Sequence, residues 1–193
     1  MDLQLAKKNA VVTGAASGVG RSIALCLSKE GVNVVISDIA MEKAANAADE
    51  CRALGVKAHP VRTDLSQAEE CVQLIDRAEE LLGPVDILVN NAGIWPTNLV
   101  VDIPVEEWRK TFDVNLTAVF LTCQRFAQKV LSRGGKGKIL NILILFPTSQ
   151  RQHLLALDWQ YPMRLPLRSR PSVRKSLGHP ADVRTSVIRA SAE

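Results

Sequence analysis

A short apolar run, "NAVVT" (9–13), stops at "GAASGVG" (14–20), and the chain then continues as "RSIALCLSKEG". The last of these spaces Ile23, Leu25, Cys26 and Leu27 along a helix and ends at Gly31. A buried strand, a glycine-rich turn and a helix in this order form one unit that cannot bury its apolar face alone. The unit recurs. "VNVVISD" is a second strand, "MEKAANAADECRALG" a second helix, "KAHPVRTD" a third strand and "QAEECVQLIDRAEELLG" a third helix. "VDILVNNAG" is a fourth strand with its turn. One long helix then covers "PVEEWRKTFDVNLTAVFLTCQRFAQKVLSRGG", with Pro104 in its first turn, and "GKILNI" is a fifth strand. Strands alternating with helices of this length predict an α/β fold: a doubly wound parallel sheet between two helical layers, with right-handed crossovers.

The glycine turn is also where chemistry is expected. Gly14 permits a tight turn, Gly18 lets backbone approach a ligand, and Gly20 lets strand and helix pack closely. The helix that starts there points unpaired N–H groups and the positive end of its dipole at whatever binds, which suits a pyrophosphate. Asp38 lies 18 residues after Gly20, at the end of the second strand. A carboxylate there can accept hydrogen bonds from both hydroxyls of an adenosine ribose and would repel a 2′-phosphate. With no basic residue at 37 or 39, the pattern favours NAD over NADP.

These residues, with others further on, resemble the classical short-chain dehydrogenase/reductase family. Thr13, Gly14, Gly18 and Gly20 match its T-G-x-x-x-G-x-G, and Asp64 in "TDLS" matches the acid after its third strand. Asn90, Asn91, Ala92 and Gly93 match its N-N-A-G, and Asn115 in "VNL" its helix asparagine. The resemblance covers residues 5–142. It implies a Rossmann-like fold and hydride transfer between a nicotinamide dinucleotide and an alcohol or ketone. It implies that Gly14, Ser17, Gly18, Val19, Gly20, Asp38, Asp64, Leu65, Asn91, Ala92 and Gly93 bind the cofactor, and that Asn115 is catalytic, holding a water in a proton relay.

The pattern changes within "KILNILILFPTSQRQHLL". Residues 1–142 carry 16 Lys and Arg against 17 Asp and Glu; residues 143–193 carry 8 against 3, together with five of the nine prolines and one of the eleven glycines. The division expected is a nucleotide-binding domain over 1–146, C-terminally incomplete for its family, and a basic, Pro- and Arg-rich tail over 147–193. The family's serine is expected near 143 or 144, where Leu143 and Ile144 stand; Thr148 and Ser149 lie beyond Pro147. The family's tyrosine precedes a lysine by four residues. Tyr161, the single tyrosine, is followed by Pro162 and, four residues on, by Leu165. Without a nearby cation a tyrosine keeps a pKa of about 10 and is a poor acid at neutral pH. A shifted reading frame or an altered exon junction accounts for such a change. "LGHPADV" resembles the family's G-x-P-x-D-V, and an internal loss with the frame resumed is the alternative.

Two functional readings follow. One is an NAD-dependent oxidoreductase by ancestry with poor turnover. The other is a non-catalytic, cofactor-binding remnant or interaction module. A small alcohol or ketone is the expected partner of the first. Nucleic acid is not expected, because the basic tail lacks interleaved aromatics. The helix that usually forms the family's dimer interface is not visible. Cys26, Cys51, Cys71 and Cys123 are scattered, with no metal-ligand spacing. With no signal-like leader and no apolar run of membrane-spanning length, they point to the cytoplasm and to neither metal nor membrane.

Overall fold

The computed structural model describes residues 3–95, 98, 100–144 and 183–191. The elements follow the expected alternation: β1 (Asn9–Thr13), α1 (Gly18–Lys29), β2 (Asn33–Asp38), α2 (Met41–Arg52), β3 (Ala58–Arg62), α3 (Ala68–Leu82), β4 (Ile87–Asn90), α4 (Val105–Phe112), α5 (Ala118–Ser132) and β5 (Lys136–Ile144). Among the described residues these strands and β6 (Val183–Ser191) form one sheet in the order β3-β2-β1-β4-β5-β6. The first five strands are mutually parallel. The chain therefore winds outward from β1 to β3, returns, and resumes on the other side of β1 with β4. That reversal opens a crevice at the C-terminal ends of β1 and β4, where ligands bind in sheets of this kind.

Side-chain alternation in the strands feeds two cores. Ala10 and Val12 of β1, Val34 and Ile36 of β2, and Ile87 and Val89 of β4 pack on one face with Ala24 of α1 and Ala44, Ala47 and Ala48 of α2. Val11, Val35 and Leu88 point to the other face, against Leu74, Ile75 and Ala78 of α3 and Phe126 and Val130 of α5. Successive residues of one strand thus serve opposite layers, which is why the strands read as unbroken apolar runs. The small alanines of α2 let that helix lie close to the sheet.

Two departures from the sequence reading have physical causes. The single long helix expected from Pro104 onward is α4 and α5 joined by a π-helical turn over Asp113–Thr117. One extra residue in that turn shifts the helical phase between α4 and α5 and sets Asn115 apart from the regular ladder. Pro104 sits at the N-cap, just before the first turn. The second departure is β6, which falls within the expected tail. It pairs antiparallel with β5 along nine residues, from Lys136↔Ser191 to Ile144↔Val183, so the sheet carries one antiparallel edge. The β-branched content of "VRTSVI" suits a strand, a signal the proline-based reading passed over. Thr148, Ser149, Tyr161, Leu165 and all but the last residue of "LGHPADV" lie outside the described residues. Among the described residues no helix is long and apolar enough to cross a membrane.

Polar contacts fix α5 against α3. Asp76 of α3 accepts from Arg125 at 2.7 Å and pairs with Lys129 at 2.9 Å; Glu79 pairs with Lys129 and with Arg133. Burial raises the Asp76 carboxyl, but the hydrogen bonds from Arg125 and Lys129 outweigh it and hold the group below its usual value. A carboxylate depressed in the folded state stabilises the fold above its unfolded pKa of about 4 and loses that contribution as pH falls further. Asp76 is about a third exposed, which keeps its share near that of surface networks. Asp76→Asn is therefore expected to lower unfolding stability in urea by about 1 kcal/mol at pH 7. The deficit should shrink below about pH 4. An equal deficit at both pH values would contradict this account.

Candidate functional site

Thr13 ends β1 and gathers the crevice around its hydroxyl. Thr13 Oγ1 accepts the backbone N–H of Asn91 at 3.0 Å and that of Ala92 at 3.1 Å. The Asn91 side chain answers across the same gap, donating Nδ2–H to the carbonyls of Thr13 (3.1 Å) and Gly14 (3.2 Å). Segments 78 residues apart are thereby clasped at the point where the sheet reverses.

The three glycines of the turn are needed for three reasons. Gly14 has φ +62°, and a Cβ on it would lie 2.8 Å from Ala92 Cα, so the clasp itself leaves no room for a side chain. Gly20 packs onto the turn, where a Cβ would lie 2.3 Å from the Gly14 carbonyl oxygen and 2.5 Å from Asn91 Nδ2. Its close neighbours are thus the turn and the end of β4. Gly18 has φ +56°, yet a Cβ there would meet nothing within 4 Å. The backbone at Gly18 faces open space at the start of α1. Ser17 is the N-cap and makes no side-chain cap bond, and the first turn of α1 has no acidic residue. Ser17 and Val19 are exposed beside it. Such an end has N–H groups to offer an anion, and no carboxylate competes for them.

Asp38 closes the other side. Its Oδ2 accepts the Ala16 N–H and its Oδ1 the Ala40 N–H, both at 3.0 Å. The carboxylate is fixed against the glycine turn, and each oxygen retains acceptor capacity for a hydroxyl. At the end of β3, Asp64 Oδ1 accepts from the Ser66 hydroxyl (2.7 Å) and backbone N–H (3.0 Å). These bonds hold the Asp64 carboxyl below its ordinary value, with smaller help from Lys110 and Arg62. Leu65 is half-buried next to it. Gly93 lies under Asn115, whose Oδ1 would be 3.4 Å from a Cβ there. Asn115 is exposed and its side chain is tied to Ile94, accepting the backbone N–H at 2.8 Å and donating to the carbonyl.

The structure thus brings Gly14, Ser17, Gly18, Val19, Gly20, Asp38, Asn91, Ala92 and Gly93 around one crevice, with Asp64 and Leu65 at the end of β3 and Asn115 behind the β4 turn. Two features escaped the sequence. Thr13 works through its hydroxyl as the acceptor that ties the crevice together. Asn90, read only as part of a motif, is buried: it donates to Asn141 Oδ1 at 3.0 Å and accepts from Thr122 Oγ1 at 2.9 Å, joining β4, β5 and α5. Polar residues set within otherwise apolar stretches, Asn90, Thr122 and Asn141, were the available signal.

The family model for short chain dehydrogenases matches residues 8–145. A cyclohexanol dehydrogenase from Acinetobacter sp. (strain SE19) is 39% identical over 135 residues, covering 69% of this chain and 53% of the relative. A short-chain type dehydrogenase/reductase from Mycobacterium marinum superposes with a TM-score of 0.66 at 36% identity, over 70% of this chain and 55% of that one. An NAD+-bound xylitol dehydrogenase gives 0.67 at 27% identity, over 72% and 53%. The chain spans about half the length of the relatives it matches.

Gly20→Ala and Gly18→Ala should separate packing from backbone strain. Gly18→Ala meets no atom and is expected to cost about 1–2 kcal/mol from its left-handed backbone. Gly20→Ala must push apart the turn and Asn91, and should lower the thermal midpoint further. A smaller loss for Gly20→Ala than for Gly18→Ala would show that the close packing at the turn is wrong.

Proposed function

The chain belongs to the short-chain dehydrogenase family, and on that premise we propose that it binds NAD(H) in the β1–β4 crevice as an oxidoreductase of alcohols or ketones. The observation that carries this reading is the pairing of an open backbone at Gly18 with the fixed carboxylate of Asp38. The N-terminal turn of α1, with Ser17, Gly18, Val19 and Gly20, would hold the pyrophosphate. Asp38 would accept the adenosine ribose hydroxyls, Asp64 and Leu65 would flank the adenine, and Asn91, Ala92 and Gly93 would line the path toward the nicotinamide. The nicotinamide supplies hydride transfer when bound; the chain's residues supply binding, orientation and proton handling. Asn115 would hold the β4 turn through its two bonds to Ile94, with one amide N–H and one acceptor lone pair left for a water in a proton relay.

A specific observation favours slow turnover. Leu143 and Ile144 stand in the sequence where the family's serine is expected, which supports a loss of the group that would orient a substrate oxygen. Tyr161 has Leu165, not lysine, four residues on. General acid–base help typically contributes about 10²–10⁴ in rate, and groups that act as a unit are lost together. The reading that supports this chain best is therefore dinucleotide binding with weak dehydrogenation. A cytoplasmic setting agrees with four free cysteines.

Fluorescence titration of the full chain should show NADH bound at least about tenfold more tightly than NADPH, the difference expected when a fixed carboxylate faces a 2′-phosphate. Asp38→Ala should narrow that gap; equal affinities for the two cofactors in the unmodified chain would remove the basis for NAD. For turnover, residues 143–193 are exchanged for the matching segment of the cyclohexanol dehydrogenase relative and NADH formation is followed on secondary alcohols. The exchange should raise the rate by about 10² or more. Comparable rates before and after would mean that another acid–base group works here, and Tyr161 would be the first residue to replace.

A further inference from the structure

In the parallel ladder between β2 and β3, Asp38 and Arg62 are register partners. Neighbouring strands lie about 4.8 Å apart, so the root of the Arg62 side chain starts next to the Asp38 carboxylate, which would face the ribose hydroxyls. Its guanidinium is engaged elsewhere: Arg62 Nη1 lies 3.7 Å from Glu70 Oε2 on α3. The two partners of this pair are not equally held. Glu70 Oε2 also accepts the Asp64 N–H at 2.7 Å, which anchors it. The Arg62 side chain is 54% exposed. An exposed ion pair at that distance is weak, and a guanidinium binds phosphate oxygens in a bidentate fork. Lys110 adds a second cation whose charge is felt at Asp64 along with that of Arg62.

We propose that Arg62 is a latent ligand for an adenosine 2′-phosphate and that Glu70, by pairing with it, helps keep the crevice selective for the dinucleotide lacking that phosphate. The inference rests on dinucleotide binding at Asp38. Selectivity is then set by two layers of charge. Asp38 repels the 2′-phosphate directly, and Glu70 occupies the one cation that register places beside Asp38. Neither 37 nor 39 is basic, so the cation comes from the neighbouring strand and not from the residues next to Asp38 in sequence.

The test is fluorescence titration of the full chain with NADH and with NADPH, using Asp38→Ala, Asp38→Ala/Arg62→Ala and Glu70→Gln, with thermal midpoints as the check on folding. Asp38→Ala should shift the NADPH-to-NADH affinity ratio toward NADPH by about tenfold, the scale of one charge-assisted contact to phosphate. Adding Arg62→Ala should take back severalfold of that gain, the part Arg62 supplies, and leave the part that comes from lifting the Asp38 repulsion. Glu70→Gln, whose amide oxygen can still accept the Asp64 N–H, should raise the ratio severalfold with Asp38 in place. The same NADPH-to-NADH ratio with and without Arg62, or no change in Glu70→Gln, overturns the inference and leaves NAD binding standing. Failure of both the unmodified chain and Asp38→Ala to bind either dinucleotide overturns it together with the proposed function.

Discussion

The clasp between Thr13 and Asn91 is the constraint on which the rest of the crevice depends. One hydroxyl accepts two backbone N–H groups from the β4 turn, and one amide returns two hydrogen bonds to the end of β1. A sheet that reverses its winding leaves its two central strand ends free to splay. Here the four bonds close that gap and pair partly buried backbone groups that would be costly to leave unpaired. Once the gap is closed, Gly14 can only be glycine, because Ala92 lies where a side chain would go. Gly20 follows, since it packs on the Gly14 carbonyl and the Asn91 amide. The helix start is thereby set against the sheet, with Gly18 facing outward.

The same logic continues along the sheet. Asn90 ties β4 to Asn141 of β5 and to Thr122 of α5. The ion-pair network on α3 fixes the far end of α5. The π-helical turn that precedes α5 carries Asn115, which holds Ile94 by its backbone just after the clasp. The β4 turn is thus gripped from β1 on one side and from the α4–α5 junction on the other. Preorganised polar contacts of this kind let a crevice meet a charged ligand without rearranging.

Much of this was legible in the sequence, because the relevant signals are local. Apolar runs of strand length, helices ending at Gly31, Gly55 and Gly83, and a glycine turn between the first pair state the α/β alternation without any long-range information. Asp38 could be placed at a strand end by counting. What was not legible depends on which strands become neighbours. The partners of the Thr13 hydroxyl are 78 residues away, and Arg62 lies beside Asp38 only because β3 pairs with β2. The π-helical turn is a single inserted residue between two helical stretches, too short a break for periodicity to mark. β6 was masked by the prolines before it, although its own nine residues contain none.

Hydrogen–deuterium exchange with and without NADH tests the central claim, that the clasped crevice is one binding surface. Saturating NADH is expected to slow exchange in three separate peptides together: that spanning the glycine turn and the start of α1, that around Asp38 and Ala40, and that around Asn91 to Gly93. Peptides from α3 and the outer face of α5 should not change. Protection confined to one of the three segments, or protection elsewhere with the glycine turn unaffected, would contradict the account.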